Sequence, residues 1–206
     1  MSSERTPGTE LLDPAAVLRH YLWSAREALW WKLDGLSERE VRLPRTPTGT
    51  NLLGIVKHCL NVEAGYFGPT FGRTWPTPEE LVPMTAYDTD PQADWYATAE
   101  EARDGLLDLH RRVGEFADET IAGLGLDARG RVPWWPPERG EVTLHRIAVH
   151  VLGDLTRHAG HADILREGID GAVGMVASNS NVPDGPGDTD WPTYVARLAA
   201  LADRFA

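Results

Sequence analysis

The chain has 206 residues, which is enough for one domain or two very small ones. Its 20 basic and 31 acidic side chains give a net charge of −11, and this charge disfavours binding to nucleic acid or to an anionic membrane surface. No apolar run approaches the ~20 residues that span a membrane, the first residues lack the pattern of a signal peptide, and the single cysteine excludes an internal disulfide framework, so we expect a cytoplasmic globular protein.

Apolar residues at helical spacing predict four long helices and a short last one. The first helix begins where Asp13 and Pro14 supply a capping side chain and a preorganised first turn. The second has too many apolar residues for one stripe, so we expect it to be covered on more than one side. In chain order, the predicted helices span about Pro14 to Gly35, Asn51 to Phe71, Pro91 to Leu124, Thr143 to Gly171 and Trp191 to Phe205.

The connections between these helices are long and rich in proline, glycine and polar residues. They cover Pro44 to Thr50, residues 74–90, Gly125 to Glu141 and residues 171–190. No stretch alternates apolar and polar residues for long enough to predict a strand. The pattern therefore predicts an all-α four-helix bundle with long connections and a short extra C-terminal helix, and bundles of this kind build metal and ligand sites in their cores.

Four of the seven histidines lie between His145 and His161, and most of them share one face of the fourth helix. On a helical wheel, a polar stripe within about 40° of Asp154 borders the apolar face. The stripe consists of His150, Asp154, His158 and His161. Ionisable groups on the inward side of a bundle are costly to bury unless they are paired or bind a metal.

The spacing of Asp154 and His158 places a carboxylate and an imidazole on successive turns of one face, where both can bind one divalent ion. A third ligand must come from another helix, and His58 is the best candidate because it lies mid-helix beside small residues. Two histidines and one carboxylate suit Zn²⁺, Ni²⁺ or Fe²⁺, with zinc the first choice. Three protein ligands leave a position open for water or substrate, which is typical of a catalytic site.

Two segments carry a resemblance to a known family. The segment Thr50–Glu63, TNLLGIVKHCLNVE, resembles the second helix of the DinB superfamily, in its branch of mycothiol-dependent maleylpyruvate isomerase-like proteins. The segment Val149–Glu167, VHVLGDLTRHAGHADILRE, is similar to the ligand-bearing helix of that family. Asp154 stands where the branch usually has glutamate.

The resemblance implies one DinB-like four-helix-bundle domain over residues 1–206, with His58, Asp154 and His158 as metal ligands. It also implies that the metal activates a small thiol, mycothiol or a similar one, for transfer to an electrophilic substrate or for isomerisation. His161 or His150 could move a proton during the reaction. Homodimerisation through helix faces is compatible with such a bundle.

Several alternatives stay open at this point. The three ligand candidates could form a buried hydrogen-bonded network without a metal. With a metal, the protein could instead hydrolyse a small amide or ester through bound water, or act as a non-catalytic metal-binding or ligand-binding stress protein. His161 is an alternative ligand or a group that holds a ligand in place, and His150 could equally be a plain core histidine.

Two further features have a structural and a functional interpretation. Cys59 could be a reactive thiol, but its position among apolar residues favours a small core residue. The tryptophans at positions 134 and 135 and the segment Arg73-Thr74-Trp75 could either wall a pocket or plug one end of the bundle.

Overall fold

A computed structural model describes residues 13–180, residue 182 and residues 189–206. It is mostly helical, which confirms the predicted fold class. The helices are α1 (Pro14–Trp31), α2 (Glu38–Arg42), α3 (Leu52–Phe67), α4 (Arg103–Leu124), α5 (Pro137–Gly140), α6 (Leu144–Asp170) and α7 (Trp191–Ala202), and the strands are β1 (Arg129–Arg131) and β2 (Glu141–Thr143). No helix in these described ranges is long and apolar enough to cross a membrane.

Side-chain caps set the ends of the helices that carry the site. The Asn51 side chain accepts a hydrogen bond from the Gly54 N–H at 2.7 Å, which starts α3. Thr143 accepts from the Arg146 N–H and starts α6. Gly171 ends α6 with a φ of 79°, a conformation that costs glycine little. These ends agree with the predicted boundaries to within a residue, except that α3 stops at Phe67.

The hydrophobic core lies between four helices, α1, α3, α4 and α6. Helix α3 packs against both α4 and α6, and α1 contacts the same two helices from the other side. Most residues of α3 are buried, including Leu53, Val56 and Leu60, so the prediction that this helix is covered on more than one side is confirmed.

A buried ionic network crosses the core beside α3. The guanidinium of Arg26 bonds Glu63 at 2.6 Å and Asp118 at 3.1 Å, and both Arg26 and Glu63 are fully buried. The other Glu63 oxygen lies 2.9 Å from Nε2 of His110, whose Nδ1 accepts from the Trp30 indole N–H. Because the indole N–H can only donate, Nδ1 of His110 is the acceptor there and Nε2 donates to Glu63. Burial opposes ionisation of Glu63, but Arg26 and His110 together lower its pKa.

The third long helix begins at Arg103, so the prediction that it starts near Pro91 is wrong. The segment before it is irregular because its backbone carbonyls accept hydrogen bonds from side chains of other elements. The side chains of Arg42 and Lys57 donate to four carbonyls within residues 96–101. Those carbonyls are therefore satisfied without a helical hydrogen-bond ladder.

The expectation that the chain has no strand is also wrong. Strands β1 and β2 form a two-stranded antiparallel ribbon in which Gly130 pairs with Val142. Each strand has three residues, which is too short for an alternating pattern to stand out in the sequence. Val142 is buried and its partner Gly130 is half-buried, and the ribbon leads directly into α6.

The described residues form two compact units, of which the first ends at Ala172 and the second begins at Val173. The second unit contains α7 and a following 3₁₀ turn, Asp203–Phe205, which together confirm the predicted last helix. The prediction of one domain over the whole chain stays a prediction.

Replacing Glu63 with glutamine should lower the free energy of unfolding by roughly 3–5 kcal/mol, because Arg26 is then a buried charge without its main counter-ion. Because folding lowers the pKa of Glu63, its contribution is present above the ordinary value near 4.5 and is lost as the pH falls through the lower folded value. Urea denaturation followed by circular dichroism at pH 7 and at pH 4 measures both effects.

The matched control is Glu115→Gln, an exposed glutamate on α4. It should change stability by less than about 0.5 kcal/mol. Equal stability losses in the two variants would contradict a structural role for the buried network.

Candidate metal centre

Helices α3 and α6 bring three candidate ligands together. His58 from α3 and both Asp154 and His158 from α6 each offer one ligand atom, and these atoms lie within 4.8 Å of one another. The Nε2 atom of His58 is 3.8 Å from Asp154 Oδ2, and the Nε2 atom of His158 is 3.6 Å from Asp154 Oδ1. The side chains are mostly buried, with 15% of His58, 30% of Asp154 and 9% of His158 exposed.

Two buried polar atoms of this cluster lack a hydrogen-bond partner within the described part of the chain. Asp154 Oδ2 and His158 Nδ1 are buried and have no hydrogen-bond partner there. Unpartnered buried polar atoms of this kind are costly and need an explanation. A divalent cation bound by the three side chains would satisfy the Asp154 oxygen, since two imidazoles and a carboxylate form a common donor set for zinc and related metals.

The acidic ligand candidate is held in its charged form. Burial raises the pKa of Asp154, but the nearby imidazoles of His158, His58 and His150 lower it below its ordinary value overall. An ionised carboxylate is the form that binds a metal.

A second carboxylate fixes the orientation of His58. The Nδ1 atom of His58 lies 2.8 Å from Oδ2 of Asp94, which is itself buried. The Trp95 ring stacks on the His58 imidazole with centroids 3.9 Å apart and planes 16° from parallel. With Nδ1 engaged, Nε2 is the atom that faces Asp154 and His158. A carboxylate behind a histidine is the usual arrangement around ligating histidines.

Neither Asp94 nor Trp95 was predicted as a functional residue, and the predicted helix from about Pro91 to Leu124 includes both of them. Both lie in the irregular segment before α4, and their contacts with His58 span 36 and 37 positions of the chain. No local pattern in the sequence marks such a contact.

The two histidines predicted to move protons lie on the exposed side of the cluster. His161 is exposed, and its ring meets that of His158 edge to face at 5.4 Å. His150 is also exposed, and its Nε2 lies 3.2 Å from the hydroxyl of Tyr66, which accepts a further hydrogen bond from the Trp135 indole. Tyr66 is a second polar group that the sequence pattern did not single out.

A cavity of about 710 Å³ adjoins His58. Its walls come from α3, from the loop that follows α3 and from the loop before α5. Of the residues that could wall a pocket or plug the bundle, Arg73, Thr74, Trp75 and Trp134 line it, whereas Trp135 instead contacts Tyr66 and His150. Gly65 allows the close approach of Trp134, since a Cβ at position 65 would lie 3.3 Å from that ring.

The Glu80 carboxylate connects α4 to the loop after α3 that lines the cavity. Glu80 accepts hydrogen bonds from the Arg112 guanidinium, from the Thr77 hydroxyl and from the Trp75 indole. The Arg112 hydrogen bond is the main reason that the pKa of Glu80 falls to about 2. The wall that carries Trp75 is therefore anchored by charge-assisted contacts.

The structure places Cys59 in the core, as its apolar neighbours predicted. Its side chain is fully buried, and burial raises the pKa of the thiol well above its ordinary value. A neutral, inaccessible thiol is a poor nucleophile, so sulfur chemistry at this site has to use an incoming thiol.

A family model described as mycothiol-S-transferase matches residues 17–171, which include all of α3 and all of α6. No curated protein matches the chain.

We predict that the purified protein, after incubation with Zn²⁺, retains close to one metal ion per chain, and that His158→Ala retains far less. Loss of one of three ligands leaves two, which rarely hold zinc at an open site. Elemental mass spectrometry after dialysis measures the metal content. His145→Ala, on the exposed first turn of α6, is the control and should keep its metal. Equal metal content in the two variants would show that His158 is not a ligand.

Replacing Asp94 with asparagine should weaken metal binding by roughly 10–100-fold without abolishing it, because the amide is a weaker partner for His58. Competition with a chromogenic chelator measures the affinity. The control is Asp88→Asn, an exposed carboxylate in the same loop. An unchanged affinity in Asp94→Asn would argue against its role in holding His58.

Proposed function

The chain belongs to the mycothiol-S-transferase family, and from that premise we propose that it transfers the sulfur of a small thiol, mycothiol or a similar compound, to an electrophilic substrate. The proposal depends above all on one observation, the convergence of His58, Asp154 and His158 with two of their buried polar atoms unpartnered. We propose these three residues as the ligands of a divalent metal, with Zn²⁺ the first choice and Ni²⁺ or Fe²⁺ as alternatives.

A divalent metal in this position would lower the pKa of a coordinated thiol, so that the thiolate is available at neutral pH. The residues around it hold the site in shape. Asp94 and Trp95 fix the His58 ring from two sides. Asp154 stays ionised beside the two imidazoles. Its negative charge would balance part of the positive charge of the metal in this partly buried site.

The reaction is a nucleophilic substitution. The sulfur of the thiolate forms a bond to the electrophilic carbon, and the leaving group departs with the electron pair of the bond that breaks. The thiol proton has to leave the site, and the exposed His150 and His161 are the groups that we propose to accept it and pass it to solvent. The Tyr66 hydroxyl orients the His150 ring through the hydrogen bond at 3.2 Å.

The zinc-loaded protein should catalyse formation of a thioether from mycothiol and 1-chloro-2,4-dinitrobenzene, with release of chloride. His150→Ala or His161→Ala should lower kcat by roughly 10²-fold if that histidine is the proton acceptor, since general-base groups contribute on that scale. Absorbance of the dinitrophenyl thioether measures the rate, and metal content is measured on the same samples.

His145→Ala is the matched control, because it is a third exposed histidine on α6 that lies outside the cluster. If neither His150→Ala nor His161→Ala slows the reaction while the metal is retained, the proton-transfer role is wrong. Hydrolysis of a small ester without any thioether formation would instead favour metal-assisted hydrolysis.

A further inference from the structure

The cavity beside His58 is large enough for a whole small molecule. Its volume of about 710 Å³ lies within the roughly 300–1,000 Å³ that ligand pockets occupy. His58 lines the cavity and also belongs to the candidate metal cluster, so the cavity ends at the reaction centre. A molecule that fills it would hold one of its atoms next to that centre, which is the geometry that accelerates a reaction between two substrates.

The walls of this cavity are mainly aliphatic and aromatic. Apolar side chains come from α3, from the loop after it and from the segment before α4. They include Val62, Trp75, Leu81, Val82, Met84 and Trp95. Surfaces of this kind favour apolar ligands, and the tryptophans add ring faces on which an aromatic ligand can stack.

Two of the polar side chains on the walls, Asn61 and Asp94, are already bound to other parts of the protein. The Asn61 amide donates to the Lys57 carbonyl and accepts from the Val82 N–H, each at 2.8 Å. Asp94 is engaged by His58 at 2.8 Å. A polar ligand would have to compete with these contacts.

The positive charge on the cavity wall is also neutralised. The Arg73 guanidinium donates to the Phe116 carbonyl and to the Thr120 hydroxyl, and it lies 3.4 Å from the Glu119 carboxylate. It also stacks over the Phe116 ring at 4.3 Å. Arg73 is therefore turned towards α4, and an anionic ligand gains little from it.

Mycothiol does not match this lining. It is a conjugate of N-acetylcysteine, a sugar and inositol, and its hydroxyl groups lose their water when they are buried without partners. The exposed side of the cluster, where His150 and His161 lie, leaves such hydroxyls in solvent. The thiol is then held outside the cavity, with its hydroxyl groups in solvent.

We propose, on the basis of the transfer reaction proposed above, that this cavity binds the electrophilic substrate and that this substrate is a neutral, apolar molecule, aromatic or alkyl, that carries a leaving group. The leaving group departs with its electron pair when the thiolate sulfur bonds to the carbon presented beside His58. A charged or heavily hydroxylated electrophile is a poor substrate.

The test measures binding of 1,3-dinitrobenzene, a neutral aromatic that lacks a good leaving group and therefore binds without reacting. Isothermal titration calorimetry is carried out on the zinc-loaded protein. Val62→Trp fills the cavity and should weaken binding at least ten-fold. The matched control, Ile164→Trp, adds the same side chain at an exposed position of α6 and should leave binding unchanged.

A second variant protects against misfolding of Val62→Trp. Met84 lines the cavity and is 62% exposed, so Met84→Asp adds a carboxylate at the rim without disturbing the core. It should weaken dinitrobenzene binding several-fold and leave the thermal unfolding temperature unchanged. Unchanged dinitrobenzene binding in both Val62→Trp and Met84→Asp would overturn the proposal.

Two further measurements separate the cavity from the reaction. Binding of dinitrobenzene should survive in His158→Ala, because the cavity does not need the metal. S-methylmycothiol, which cannot react, should bind Val62→Trp as well as it binds the unchanged protein.

The outcomes distinguish the two proposals. If Val62→Trp weakens binding of S-methylmycothiol and leaves binding of dinitrobenzene unaffected, the cavity binds the thiol and the proposal is wrong. If dinitrobenzene binding depends on Val62 but no thioether forms with mycothiol, the cavity assignment stands and the proposed transfer fails.

Discussion

The hydrogen bond between Asp94 and His58 joins an irregular loop to the central helix, and the geometry of the site depends on it. For that bond to form, the loop has to cross α3 at very close range. A Cβ at position 54 would lie 1.9 Å from the Trp95 carbonyl oxygen, so only glycine allows the crossing. The Asn51 side chain, which caps α3, also donates to that carbonyl at 3.3 Å. The residues that start α3 thus also place the loop on His58.

Two kinds of surface adjoin the cluster. The loop that carries Asp94 and Trp95 continues the wall of the apolar cavity, whereas α6 presents His150 and His161 to solvent. His58 lines the cavity and also belongs to the ligand cluster. An apolar surface and a solvent-exposed surface therefore meet at one cluster of ligands. Two substrates of opposite polarity can meet there, which is what a transfer from a hydrophilic thiol to an apolar acceptor requires.

Much of this arrangement can be predicted from the sequence, and the remaining features cannot be predicted for identifiable reasons. The helical period places Asp154 and His158 on one face of α6, and strong caps at Asn51 and Thr143 mark where the site helices begin. The start of α4 could not be found in this way, since its preceding segment has its carbonyls bound by the distant Arg42 and Lys57. Contacts between residues far apart in the chain leave no periodic signal. For the same reason, no sequence pattern marked Asp94 as a partner of His58. The ribbon of β1 and β2 was too short to show alternation.

If His58, Asp154 and His158 hold a metal with a position open to an incoming thiol, the metal should report the arrival of that thiol. We would therefore record the absorption spectrum of the cobalt-substituted protein during titration with mycothiol. We expect a new sulfur-to-cobalt charge-transfer band that saturates with mycothiol, is absent with S-methylmycothiol, and is lost in His158→Ala. Tight cobalt binding with a spectrum that saturating mycothiol leaves unchanged would contradict an open metal site, because the metal would then have no position for the thiol.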